Sequence, residues 1–199
     1  SGTKGEDGWF VSEVTLTAPE GYTISNSVDG EYEESLVLTE EMAETITYYL
    51  KNTEGRIAKK TIAVKSDLNA PTAKYAVNNG EPQEFAAFDD FDIFCRDSAT
   101  FSLTAEDTMD TEVTLEYKVS DVVLNAEKIT DWTAYSEAVV LSPRTKNYIY
   151  VRATDDAGNS RIYENGVVVF EDSMADTKQV LHFLTDTQAA SGTVQLNGN

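Results

Sequence analysis

Asp155-Asp156-Ala157-Gly158-Asn159 sets carboxylate and amide oxygens side by side, and oxygen is the donor that Ca²⁺ collects in sets of six to eight. The same residues suit a hairpin turn, with Gly158 in the left-handed region and an Asp or Asn side chain capping the backbone. No Glu closes the stretch at calcium-loop spacing, so the turn is the stronger reading. A second acidic run, Asp89, Asp90 and Asp92, lies among Phe88, Phe91, Ile93 and Phe94. It could hold Ca²⁺ or, with Phe91, offer a sugar both a ring face and carboxylates. The plainer reading is a connecting loop whose Phe residues anchor it while the acids stay hydrated. Trp132, Tyr135, Tyr148, Tyr150 and Phe91 are the residues from which a carbohydrate-stacking face could be built. A Trp more often covers a hydrophobic core.

Nucleophilic catalysis has little to work with. The chain holds one Cys and one His. Cys95 sits in an apolar run and reads as a small buried hydrophobe. His182 lies in the C-terminal stretch, and a Ser-His-Asp arrangement would need it to reach another module. These counts also exclude an internal disulfide and a Cys/His zinc site. Glycoside hydrolysis needs two carboxyls fixed across a deep cleft, which small sandwiches with short turns rarely enclose. No Gly-rich phosphate loop is present. The expectation is no enzyme and no cofactor, with Ca²⁺ the one ion worth considering.

The elements that must position these residues are strands. Val14, Leu16 and Ala18 alternate with Thr15 and Thr17; Ile46, Tyr48 and Leu50 share a face; Thr61–Lys65 is expected to bury Ile62 and Val64. Phe101, Leu103 and Ala105 follow, then Val113, Leu115, Tyr117 and Val119. In the run from Tyr148 to Thr154, Tyr148 and Tyr150 oppose Ile149 and Val151, so one of the two faces is expected to be open to solvent. Val167–Phe170 is apolar on both faces and suits a central strand. Asn78-Asn79-Gly80 and Asp156-Ala157-Gly158 are among the turns between runs. Leu38–Thr45 shows no wide apolar stripe and reads as a loop.

A break falls at Asp67-Leu68-Asn69-Ala70-Pro71, where small residues and a Pro separate two strands. A second falls after Phe170. The predicted organisation is a small module at residues 1–67, a larger one at 68–171, and an extension at 172–199 that reads as the opening of a third β-module.

The 199 residues carry 35 acidic and 15 basic side chains, a net charge of −20. Six basic residues face thirteen acidic ones in 1–67, eight face nineteen in 68–171, and one faces three in 172–199. The charge is therefore spread along the chain and is not an acidic tail. Such a field opposes nucleic acid and anionic lipid. No run of 18 apolar residues exists, so no membrane insertion by a helix is expected.

The stretches Val14-Thr15-Leu16-Thr17-Ala18-Pro19-Glu20-Gly21-Tyr22 and Ile46-Thr47-Tyr48-Tyr49-Leu50-Lys51-Asn52 resemble bacterial immunoglobulin-like repeats of large Gram-positive surface proteins, often from gut bacteria. Tyr148-Ile149-Tyr150-Val151-Arg152-Ala153-Thr154-Asp155-Asp156-Ala157-Gly158-Asn159 looks like the end of a neighbouring repeat. The resemblance covers most of residues 7–171 and departs at Phe85–Ser98, which is more aromatic and acidic than a plain repeat. It implies an all-β fold: two tandem antiparallel immunoglobulin-like or fibronectin-like β-sandwiches with a short C-terminal β extension. It implies a monomeric spacer or adhesion stalk on an exported, cell-surface protein, touching adjacent modules and a glycan or surface protein. The alternative is a carbohydrate-binding accessory module of a secreted multidomain enzyme.

Overall fold

The computed structural model describes residues 1–85, 93–96, 98–109 and 112–170. The acidic run Asp89, Asp90 and Asp92, with Phe91, lies outside these residues, as do His182 and the 172–199 extension. The described chain is all-β. Its strands are β1 (Val14–Thr17), β2 (Tyr22–Ser25), β3 (Ser35–Leu38), β4 (Met42–Asn52), β5 (Ile57–Ser66), β6 (Thr72–Val77) and β7 (Ile93–Arg96). They continue as β8 (Ala99–Glu106), β9 (Thr114–Ser120), β10 (Thr133–Ala134), β11 (Val139–Leu141), β12 (Arg144–Thr154) and β13 (Ser160–Phe170). One short 3-10 turn, Ala126–Lys128, interrupts the connection from β9 to β10.

Before residue 67 the strands form a pair, β1-β3, and a three-stranded sheet, β2-β4-β5. Their apolar contacts are few: Trp9, Val14, Ile24, Leu50 and Val64 are buried. After residue 71 the orders are β11-β8-β6 and β10-β9-β12-β13-β7. Tyr75, Phe101, Leu103 and Leu141 from the first of these sheets meet Cys95, Ile149, Val151, Val167 and Val169 from the second in one core. Two sheets burying their inner faces on each other make a β-sandwich. Three strands facing a sheet whose centre pairs sequence-distant strands is the arrangement of immunoglobulin-like and fibronectin-like domains.

The period-two runs became strands because their apolar faces have a second sheet to meet. β13 lies between β12 and β7, and Val167, Val168 and Val169 are all buried. Asn78 and Asn79 adopt φ of 52° and 58°, and Gly80 N–H donates to Val77 O at 2.9 Å, so this turn has the two left-handed residues of a type I′ hairpin.

Four expectations need correction. Ile62 is 38% exposed while Val64 is buried, since only one end of β5 is covered. The 38–45 loop shrinks to 39–41, because β4 starts at Met42 and keeps ten paired positions with β5 up to Lys51. Within the 85–98 stretch, Ile93–Arg96 is a strand, pairing in parallel with the edge that β13 would otherwise leave open. Neither face of β12 is open: Tyr150, Ile149 and Val151 are 0% exposed and Tyr148 only 9%.

Candidate functional site

The outer face of β12 carries Tyr148, Tyr150 and Arg152, and the β9–β10 connection folds back over it. Tyr150 OH donates to Leu124 O at 3.1 Å and accepts from Leu124 N–H at 2.6 Å. Trp132 places its ring 4.9 Å beneath the Arg152 guanidinium and donates Nε1–H to Ile129 O at 2.9 Å. Arg152 in turn donates Nε–H to Glu116 Oε2 at 2.7 Å. Tyr135 turns inward, and its hydroxyl accepts the Leu103 N–H at 3.0 Å. The structure therefore does not bring Trp132, Tyr135, Tyr148 and Tyr150 together as a stacking face. Tyr148 and Tyr150 are buried on the outer face of β12, Tyr135 anchors the opposite sheet, and one ring face of Trp132 is taken by Arg152.

Cys95 is buried in the core, with Asn78 Nδ2 at 3.7 Å from its sulfur. Burial pushes its thiol up, against a smaller opposing effect of Asn78, so it is a poor nucleophile.

The Asp155–Asn159 stretch is a turn, and it is more than a turn. Gly158 has φ of 93°, as a left-handed residue should. Asp155 accepts the Asn159 backbone N–H on Oδ1 at 2.8 Å and the Asn159 side-chain amide on Oδ2 at 3.0 Å. The same Asn159 amide reaches Asp67 O at 3.1 Å, on the other side of the linker. Asp156 is exposed while Asp155 is buried, so the two adjacent acids meet different surroundings.

Around this turn the two halves of the chain interlock. Glu6 N–H donates to Ala157 O at 2.9 Å. Gly5 passes so close that a Cβ placed on it would lie 2.2 Å from Ala157 O. Phe10 exchanges backbone hydrogen bonds with the end of β5, donating to Lys65 O and accepting from Asp67 N–H, both at 2.9 Å. Tyr163 OH donates to Pro71 O at 2.6 Å. Glu41, from the β3–β4 turn, accepts Leu68 N–H at 3.0 Å and the Thr108 hydroxyl at 2.9 Å. Burial opposes the Glu41 charge, but these bonds and those from Asn69 outweigh it and hold its carboxyl below the usual range.

At the centre of the junction sit Asp67, Asp107 and Asp155, with one carboxylate oxygen of each within 4.8 Å of the others. Each Asp directly follows the last residue of a strand: Ser66 of β5, Glu106 of β8 and Thr154 of β12. Thr72 pairs with Glu106, so the linker enters the sandwich at the pole where β8 ends. Asp67 is 0% exposed and Asp155 6%. Burial, with smaller contributions from Asp107, Asp155 and Glu41, outweighs the Asn69 N–H bond and pushes the Asp67 carboxyl up to about 7. Asp155 was visible in the sequence as a turn acid; Asp67 and Asp107 were not. The signal available was positional, an Asp immediately after the end of three separate strands.

The fold defines the class: immunoglobulin-like β-sandwich. No protein-family model matches the chain, and no curated protein sequence matches it. Among solved structures, the fibronectin(III)-like modules of CbhA from Clostridium thermocellum align over 86% of this chain and 92% of theirs, at 12% identity and a TM-score of 0.30. So loose a superposition leaves the fold assignment resting on the strand order and shared core of this chain itself. No helix among the described residues is long and apolar enough to cross a membrane.

Proposed function

We propose that the chain is a non-catalytic structural segment of an exported bacterial multidomain protein, in which two sandwich modules hold their neighbours at a set spacing and angle. The observation that carries this reading is the junction. Glu6, Glu41 and Asp67 on one side are hydrogen-bonded to Ala157, Thr108 and Asn159 on the other, and Pro71 at the end of the linker accepts from Tyr163. A flexible string of binding domains has no use for so many bonds across a five-residue linker, whereas a spacer does. The inaccessible Cys95 thiol fits a role without covalent chemistry. The distributed negative charge suits a chain that must stay soluble and apart from its copies outside the cell.

Spin labels at the exposed positions Val37 and Val140, introduced as Val37→Cys and Val140→Cys, test it. Pulsed dipolar spectroscopy should give one narrow distance distribution. A broad or multiple distribution would sink the spacer reading. The carbohydrate-binding alternative has no assembled aromatic platform among the described residues.

A further inference from the structure

We infer that Asp67, Asp107 and Asp155 form a Ca²⁺ site that clamps the linker to the ends of β8 and β12. The inference stands whether the chain spaces its neighbours or binds a ligand. Its first support is convergence: three carboxylates from three strand ends bring oxygens within 4.8 Å of one another. Ca²⁺ binds oxygens at about 2.3–2.6 Å, so two ligands on opposite sides of one ion lie about 4.6–5.2 Å apart. Mg²⁺, at about 2.0–2.1 Å, demands a tighter set. The donors are all hard oxygens, with no nitrogen or sulfur ligand to favour zinc or copper.

The second support is independent of the clustering. Asp67 Oδ2 is completely buried and has no hydrogen-bond partner among the described residues. Its sister oxygen receives the Asn69 N–H, at 3.3 Å. A buried carboxylate oxygen without a donor costs several kcal/mol unless something positive faces it. The remaining bonds orient the set. Asn159 holds both Asp155 oxygens, and Met109 N–H donates to Asp107 Oδ1 at 2.8 Å. Each bonded oxygen keeps a second lone pair for an ion. Backbone carbonyls and water would complete the coordination, as is usual for Ca²⁺.

Calorimetric titration of CaCl₂ into the chelator-treated full chain should show saturable binding of one ion. The melting temperature should rise by about 4 °C or more between chelator and saturating Ca²⁺, with a smaller response to Mg²⁺. Asp67→Asn and Asp107→Asn should each weaken binding at least ~10-fold, because each removes one anionic ligand. Asp156→Asn, outside the cluster, should bind as the parent does. Two variants keep the test open if one fails to fold, and the parent titration needs neither. Absence of both binding heat and a melting shift in the parent would overturn the site. So would binding that survives in Asp67→Asn and Asp107→Asn but is lost in Asp156→Asn. A broad spin-label distribution with Ca²⁺ bound would remove the spacer reading and leave the site standing.

Discussion

The Asn159 side-chain amide donates to the Asp67 carbonyl at 3.1 Å across 92 residues of sequence, while lying 3.0 Å from Asp155 Oδ2. One amide thus orients the turn acid and fixes the linker. Asn159→Ala should leave the Asp67 carbonyl and one Asp155 oxygen short of a donor. We expect a loss of about 1–3 kcal/mol, read from chemical denaturation, and a broader spin-label distribution between the modules. Unchanged stability and distribution would mean that the cross-linker bond contributes nothing.

Gly5 is required for space. A methyl group at that position would meet the Ala157 carbonyl oxygen, and backbone cannot swing aside as a side chain can. Gly5→Ala should undock the N-terminal segment, break the Glu6–Ala157 bond and speed proteolysis before Phe10. Gly55, whose added Cβ would meet nothing within 4 Å but which has φ of 79°, is a contrasting case. Gly55→Ala should cost about 1 kcal/mol from strain alone and leave the junction closed. Limited proteolysis of the two variants distinguishes crowding from strain.

The junction should make stability depend on pH in both directions when Ca²⁺ is withheld. Asp67 has a folded value near 7 against 3.8 for the free side chain, so the native state holds the proton more tightly. Its contribution is complete below the unfolded value and is lost as pH rises through about 7. Glu41 is held below its ordinary value, so its contribution is present above that value and is lost on acidification. The groups facing Asp67 are the carboxylates of Glu41, Asp107 and Asp155. Melting temperatures in chelator should therefore fall between about pH 4 and about pH 7 as Asp67 loses its extra stabilisation, and the Glu41 contribution should be lost only on acidification below its ordinary value. A curve still rising between about pH 6 and about pH 8 would contradict a raised Asp67.

Tyr150→Phe removes a hydroxyl that both donates to and accepts from Leu124. The connection that covers β12 should loosen, at a cost of about 1–2 kcal/mol in equilibrium unfolding. Amide exchange should quicken first between Leu124 and Trp132. Uniform destabilisation without local exchange would mean that the anchor is not local.

The alternating runs were legible because period-two burial is a local property. Val14, Leu103, Val151 and Val167 were each assigned to strands from their neighbours alone. The closed outer face of β12 was not legible, because what covers Tyr150 is a loop 26 residues earlier in the sequence. The same limit hid the acidic centre. Asp155 announced itself through Gly158 and Asn159, but Asp67 looked like a linker residue and Asp107 like a loop residue. Only the meeting of the ends of β5, β8 and β12, at the pole where β6 enters, brings the three together.

The Glu6–Ala157 bond has a consequence for biosynthesis. Synthesis exposes Gly5 and Glu6 well before Ala157. The amino-terminal segment must therefore wait, undocked, until the second sandwich has threaded β12 and turned. The Glu6–Ala157 contact is a late event, set by the arrival of the turn after β12 rather than by the strands before residue 67.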